Sequence, residues 1–225
     1  MTTIIIGASG GLGAALARAY RARGDAVIGL SRASTPALDL ADEASIAAAA
    51  GHLSDIIVDR LVIASGLLHG DGAVPEKSWR MLSAEGLARS FAVNANGPAL
   101  VARHFLPLMP RDRRASLVAL SARVGSIGDN RLGGWYGYRA SKAALNQLIR
   151  TLSIELARTH PHLLCVAIHP GTVDTALSAP FQRGVAAERL FAPDDSAAHI
   201  VGVLDRLSPG DSGGCFDWRG ERIPA

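Results

Sequence analysis

The stretch Thr3-Ile4-Ile5-Ile6-Gly7-Ala8-Ser9-Gly10-Gly11-Leu12-Gly13 decides how the rest of the chain is read. Its first four residues form a short β-branched run that ends at a turn signal, the pattern of a buried strand. The glycines follow at once, and residues 14–23 then carry a helical apolar period. A glycine-rich turn between a strand and a helix lets main-chain N–H groups approach a pyrophosphate at the positive helix N-terminus. Gly7, Gly11 and Gly13 are spaced GxxxGxG rather than GxGxxG; Ser9, Gly10 and Leu12 share the turn and count with them as candidate cofactor contacts.

Working outward, residues 26–30 form a second strand that closes a βαβ unit at Ser31-Arg32. A dinucleotide lacking a 2′-phosphate is usually held there by an acid about 20 residues beyond the glycines. Neither Ser31 nor Arg32 is acidic, and a guanidinium suits a 2′-phosphate, so the pattern predicts NADP, with NADPH preferred over NADH. The bland reading of Arg32 is a surface arginine in an arginine-rich chain. Further strands are predicted at 37–40, with Asp39 and Leu40, at 61–64, ending in Ser65-Gly66, and at 115–120, 163–168 and 214–216. Helices are predicted at 42–51, as one long region at 83–108 holding Asn94, at 143–157, and at 194–207; a loop through Gly70 and Gly72 precedes the long one. This alternation predicts an α/β fold: a single domain over 1–225, with a doubly wound parallel sheet of about seven strands and helices on both faces. Such sheets bind ligands at the carboxyl ends of their strands. The glycine turn, Ser121, the Tyr138/Lys142 pair and His169-Pro170-Gly171 all follow such ends.

Tyr138 and Lys142 are four apart at the opening of the helix over 143–157, so their side chains share one face. A phenol with an ordinary pKa near ~10 is a poor acid or base at neutral pH. A nearby ammonium is expected to favour the phenolate and lower that value. Most other cations here are arginines, and a lysine at this place supplies a compact point charge. Asn94 within a helical run is unfavourable by propensity and calls for a buried partner or a role.

Composition narrows the classes. The chain has 225 residues, 48% of them hydrophobic and 19% charged, with a net charge of +3, which describes an ordinary globular protein. The basic cluster Arg111-Asp112-Arg113-Arg114 reads as a solvated turn, and no nucleic-acid partner is expected. No apolar run reaches membrane-spanning length and no positive n-region opens the chain, so neither a membrane partner nor a signal peptide is expected. Cys165 and Cys215 have no metal or CxxC spacing and read as reduced core residues of a cytoplasmic protein; no metal is expected. A homo-oligomer is left open.

In order along the chain, Gly7 to Gly13, Asn94, Tyr138-Arg139-Ala140-Ser141-Lys142 and Pro170-Gly171-Thr172-Val173-Asp174-Thr175 resemble the short-chain dehydrogenase/reductase family over essentially its whole length. Within it, Gly125-Ser126-Ile127-Gly128-Asp129-Asn130 and Gly133-Gly134-Trp135-Tyr136 resemble the C-factor-like and sniffer-like carbonyl reductases. The resemblance implies a Rossmann fold and hydride transfer between NADP and a small carbonyl or alcohol substrate. Tyr138 is then the proton donor, Lys142 its pKa partner and a ligand of the nicotinamide ribose, and Asn94 the holder of a relay water. Pro170, Gly171, Val173 and Thr175 border the nicotinamide, and Asp39 meets the adenine. Three positions depart from the family pattern: Ile6 replaces a threonine, Ile63-Ala64-Ser65-Gly66 replaces Asn-Asn-Ala-Gly, and Ala122 stands where the carbonyl-polarising serine belongs. Ser121 or Ser126 is left to take that place, with Ser121 favoured because it ends a strand. Two functions follow: a carbonyl reductase, or an NADP(H)-binding regulatory protein of C-factor type with little turnover. The segments 177–192 and 125–135 hold the substrate choice, and their Phe, Leu and Trp content suggests an apolar carbonyl compound.

Overall fold

The computed structural model describes residues 1–70 and 74–225, so the Gly72 part of the expected loop lies outside the described residues. Along the chain run β1 (Thr2–Ile6), α1 (Gly11–Ala22), β2 (Ala26–Leu30), α2 (Glu43–His52), β3 (Arg60–Ile63), α3 (Ala84–Phe91), α4 (Gly97–Phe105), β4 (Ala115–Leu120), α5 (Tyr136–Thr159), β5 (Leu163–His169), β6 (Thr172–Val173), β7 (Leu190–Phe191), α6 (Pro193–Arg206) and β8 (Cys215–Asp217). Among the described residues, six strands form one sheet in the order β2-β1-β3-β4-β5-β8, with every pairing parallel.

The sheet is buried on both faces, which is why its strands read as unbroken apolar runs. Successive side chains alternate between two cores. Ile4, Ile6, Leu61, Ile63, Leu117 and Ala119 meet Ile46 of α2, Phe105 of α4 and Ile149 of α5. Ile5, Val62, Val118, Leu120 and Ile168 meet Leu16 and Tyr20 of α1 and Ile200 and Leu204 of α6. Cys165 and Cys215 are free thiols, one buried and one half-buried. Residues 111–114 are exposed, as a solvated turn should be. Among the described residues, no helix is long and apolar enough to cross a membrane.

Two elements differ from expectation. Residues 37–40 form no strand, which takes the main sheet from about seven strands to six. The backbone there is committed elsewhere: Leu38 N donates to Ser31 O at 2.9 Å and Asp39 N to Ser45 Oγ at 2.9 Å. Leu38 and Leu40 are still buried, so an irregular segment satisfies the apolar alternation that mimicked a strand. The long helix expected at 83–108 is interrupted by a π-helical turn at Ala92–Asn96 between α3 and α4. Outside the main sheet, β6 and β7 pair in parallel, and Asp174 N donates to Phe191 O at 2.8 Å, tying together the two ends of segment 174–189.

Candidate active site

Strand order reverses at β1, which lies between β2 and β3, and a crevice opens there at the strands' carboxyl ends. Gly7 leaves β1 with φ +88°, a left-handed conformation that glycine adopts freely. Gly7 N and Ala8 N both donate to Leu30 O, at 2.8 and 3.2 Å, and Gly10 N donates to Gly7 O at 3.0 Å. A Cβ on Gly13 would overlap the Gly7 carbonyl oxygen, so the turn closes only with glycine at that position. Helix α1 begins with no side-chain cap, and its first N–H groups are left for a ligand. The crevice is a cleft of about 720 Å³. It is lined by Gly7, Ser9, Gly10, Gly11, Leu12 and Gly13 of the turn, by Ser31, Arg32, Asp39 and Leu40 at one end, and by Ser65 and Gly66 after β3. Ser121, Tyr138, Lys142, Pro170, Gly171, Val173 and Thr175 complete it, so one cavity gathers the predicted residues except Asn94 and the alternative serine Ser126. The glycine cradle, the uncapped helix start and the cleft volume fit a dinucleotide.

Tyr138 and Lys142 face this cleft from α5. Lys142 is buried, its Nζ donates to Leu120 O at 2.8 Å, and it lies 5.8 Å from the centre of the Tyr138 ring. Burial pushes the Tyr138 phenol up to about 12 and pulls Lys142 down to about 8. The phenol thus moves opposite to the lowering expected from the ammonium, because burial disfavours the charged form of both groups. Asn94 sits in the π-helical turn, fully buried beneath the cleft. Its Oδ1 accepts from Leu67 N at 2.8 Å, while Nδ2 donates to Leu67 O at 2.8 Å and to Ser141 Oγ at 3.1 Å. Ser141 in turn donates to Tyr138 O at 3.0 Å. Asn94 thus clamps the loop after β3 onto the helix that carries Tyr138, and this accounts for an asparagine within a helical run.

The serines resolve differently. Ser121 Oγ donates to Asn146 Oδ1 at 2.7 Å. A hydroxyl has one proton, and here that proton points along α5 rather than to a substrate. Ser126 Oγ accepts from Asp129 N at 3.2 Å and reaches Ala225 O at 3.4 Å, the ordinary loop-bonding role of serine. Ala122 lines the cleft with a methyl group where the family places its hydroxyl.

The model of the short chain dehydrogenase family matches residues 1–185. The chain belongs to that family. C-signal of Myxococcus xanthus is 34% identical over 138 residues, covering 61% of this chain and 78% of that protein. An NADPH-dependent pterin aldehyde reductase of Arabidopsis thaliana is 29% identical over 228 residues, 95% of this chain and 91% of that one. A putative short-chain dehydrogenase/reductase from Burkholderia multivorans with bound NADP superposes with a TM-score of 0.83 at 29% identity, over 100% of this chain and 99% of the other. The protein is an oxidoreductase of the short-chain dehydrogenase type.

This short-chain dehydrogenase also holds two residues that the sequence did not single out, His69 and Glu76, and one, His169, that it marked only by its place at a strand end. His69 Nε2 lies 3.0 Å from both Ala176 O and Leu177 O and ties the segment after β6 to the loop after β3. His169, at the end of β5, lines the cleft and a smaller adjoining cavity of about 360 Å³, and burial pulls it down to about 4, so it is neutral. Glu76 is 7% exposed and bonds the start of α5. No local pattern marked it, because Val74-Pro75-Glu76-Lys77 reads as plain loop.

Proposed function

We propose that the protein is an NADPH-dependent carbonyl reductase in which Tyr138 donates the proton to an aldehyde or ketone oxygen. The observation that carries this reading is a buried phenol, held protonated by its surroundings, beside Lys142 and at the wall of a dinucleotide-shaped cleft. When bound, NADPH supplies the hydride. As the carbonyl oxygen gains negative charge, the Tyr138 O–H bond breaks and its proton passes to that oxygen. With its phenol at about 12, Tyr138 is in the proton-donating form at neutral pH. An ammonium carries three donors. Leu120 O takes one from Lys142, and the other two are available to the nicotinamide ribose. Arg32, at the adenosine end of the cleft, meets the 2′-phosphate. Asn94 positions the loop and helix rather than touching substrate.

NADP bound to the Burkholderia structure and the NADPH-dependent reductase among the relatives support the cofactor assignment. The test follows NADPH oxidation against a panel of aldehydes and ketones, with NADH in parallel. Turnover of at least one carbonyl compound with NADPH preferred is expected. One observation favours a second reading, that of an NADP(H)-binding regulatory protein: Ala122 removes the second donor to the carbonyl oxygen. NADPH binding with no oxidation across the panel would establish it in place of the first.

A further inference from the structure

The first turn of α5 is built by a residue 61 positions away. The helix has no side-chain cap and no acid in its first turn. Glu76 supplies both from the loop before α3: its Oε2 accepts from Gly137 N at 3.1 Å and its main-chain oxygen accepts from Trp135 N at 2.5 Å. Glycine at 137 leaves room for this approach, since a Cβ there would lie 2.9 Å from Glu76 Oε1 and 3.0 Å from Ser90 Oγ and would make those side chains shift. Among the described residues no cation forms an ion pair with Glu76, and the positive end of the 24-residue helix serves as its counter-charge. The same contacts hold Trp135 at φ 52°, ψ 45°. Among the described residues it is the one non-glycine with positive φ, a conformation that is costly for a bulky side chain and that persists only where its surroundings enforce it.

This strained residue carries its indole into the cleft. The ring stands edge-to-face with Tyr138 at 6.3 Å between centroids and with Phe181 at 5.0 Å, and Phe181 meets His69 at 5.4 Å. Rings from three separate segments thus converge beside the phenol. Aromatic partners favour such edge-to-face and offset arrangements, so the wall suits a flat ring next to the reacting carbon. We propose that Glu76 is a positioning residue that holds Trp135 beside Tyr138, and that Trp135 selects aryl aldehydes and ketones. The inference rests on the carbonyl reductase reading and names its substrate class.

The test compares benzaldehyde with cyclohexanecarbaldehyde, which has similar bulk without a flat ring. The unmutated protein should favour benzaldehyde in kcat/KM by about 3- to 10-fold, the size of a ring-pair contribution. Trp135→Leu should abolish the preference and Trp135→Phe should retain most of it. Glu76→Ala should reproduce the Trp135→Leu ratio mainly through KM, and Glu76→Gln, whose amide oxygen still accepts from Gly137 N–H, should restore it. A Glu76→Ala variant with lowered Tm and an unchanged ratio overturns the positioning role. If that variant does not fold, the Glu76→Gln and Trp135 ratios decide. If neither aldehyde is reduced, it is the reductase reading that fails. Calorimetric titration of the NADPH-loaded protein with benzyl alcohol and cyclohexylmethanol then scores the ring wall by itself, and equal affinity for the two overturns it.

Discussion

The two ends of the cleft are made of different material. At the cofactor end the surface is main chain: a turn whose carbonyl and N–H groups are placed by glycines, and a helix start left uncapped. At the substrate end it is side chain: Trp135 with Tyr138, Phe181 and His69, delivered by three stretches far apart in sequence. A backbone surface leaves its mark as short local motifs. A side-chain surface is assembled by tertiary packing and leaves almost none.

Substitutions can break or sharpen that contrast. The largest effect is expected for Tyr138→Phe, which should lower kcat by about 10²–10⁴, the usual worth of a general acid, with NADPH affinity preserved. Steady-state turnover paired with a cofactor Kd reads both, and near-normal turnover would remove Tyr138 from the chemistry. Next is Ala122→Ser, which restores a hydroxyl at the cleft wall and should raise kcat by up to about 10², since an oxyanion donor is worth about 2.7–4 kcal/mol where it is lost. Ser121→Ala is its control: a mild effect is expected because Asn146 takes the Ser121 proton, and a severe loss would return Ser121 to the role of donor.

At the cofactor end, Arg32→Ala should cost NADPH about 1.5–3 kcal/mol of binding and leave NADH unchanged, as for one charged hydrogen bond. Equal loss for both nucleotides would detach Arg32 from the 2′-phosphate. Gly13→Ala forces a methyl group against the Gly7 carbonyl and should cost about 1–3 kcal/mol of stability, the range for overpacking. The thermal midpoint measured with and without NADPH checks whether cofactor affinity falls with it.

The smallest effect expected is on pH dependence. Burial lowers Lys142 from 10.5 to about 8, so its ammonium is lost as pH rises through about 8. With the phenol at about 12, the alkaline fall in kcat/KM should be centred near 8 and not near 10. The stability windows have opposite signs. The Lys142 penalty is full below about 8 and fades by 10.5, whereas the Tyr138 contribution is full below 10 and is lost as pH climbs through about 12. A pH–rate profile flat through pH 9 would show that the bound cofactor holds the lysine protonated.

The β-branched runs and the glycine turn were legible because a doubly buried strand and a backbone cradle are local properties. Residues 37–40 misled because Leu38 and Leu40 are buried without being paired, and periodicity reports burial rather than hydrogen bonding. The role of Asn94 in the π-helical turn was hidden since its partner, Leu67, lies 27 residues away. Tyr138 and Lys142 were visible as a pair, yet the direction of the phenol's shift was not, because it depends on how deeply α5 sinks. Glu76 left no trace at all: its importance is a contact across 61 residues.

The short clasp of Thr172–Val173 against Leu190–Phe191 has a consequence for how such proteins diverge. Because the clasp fixes both ends of segment 174–189, the chain between them can lengthen, shorten or change composition while the sheet continues to see the same two anchor points. Doubling such a loop costs only about 0.6 kcal/mol in closure entropy. The part of the segment beyond Thr175 can therefore be exchanged like a cassette while the glycine turn and the sheet stay as they are.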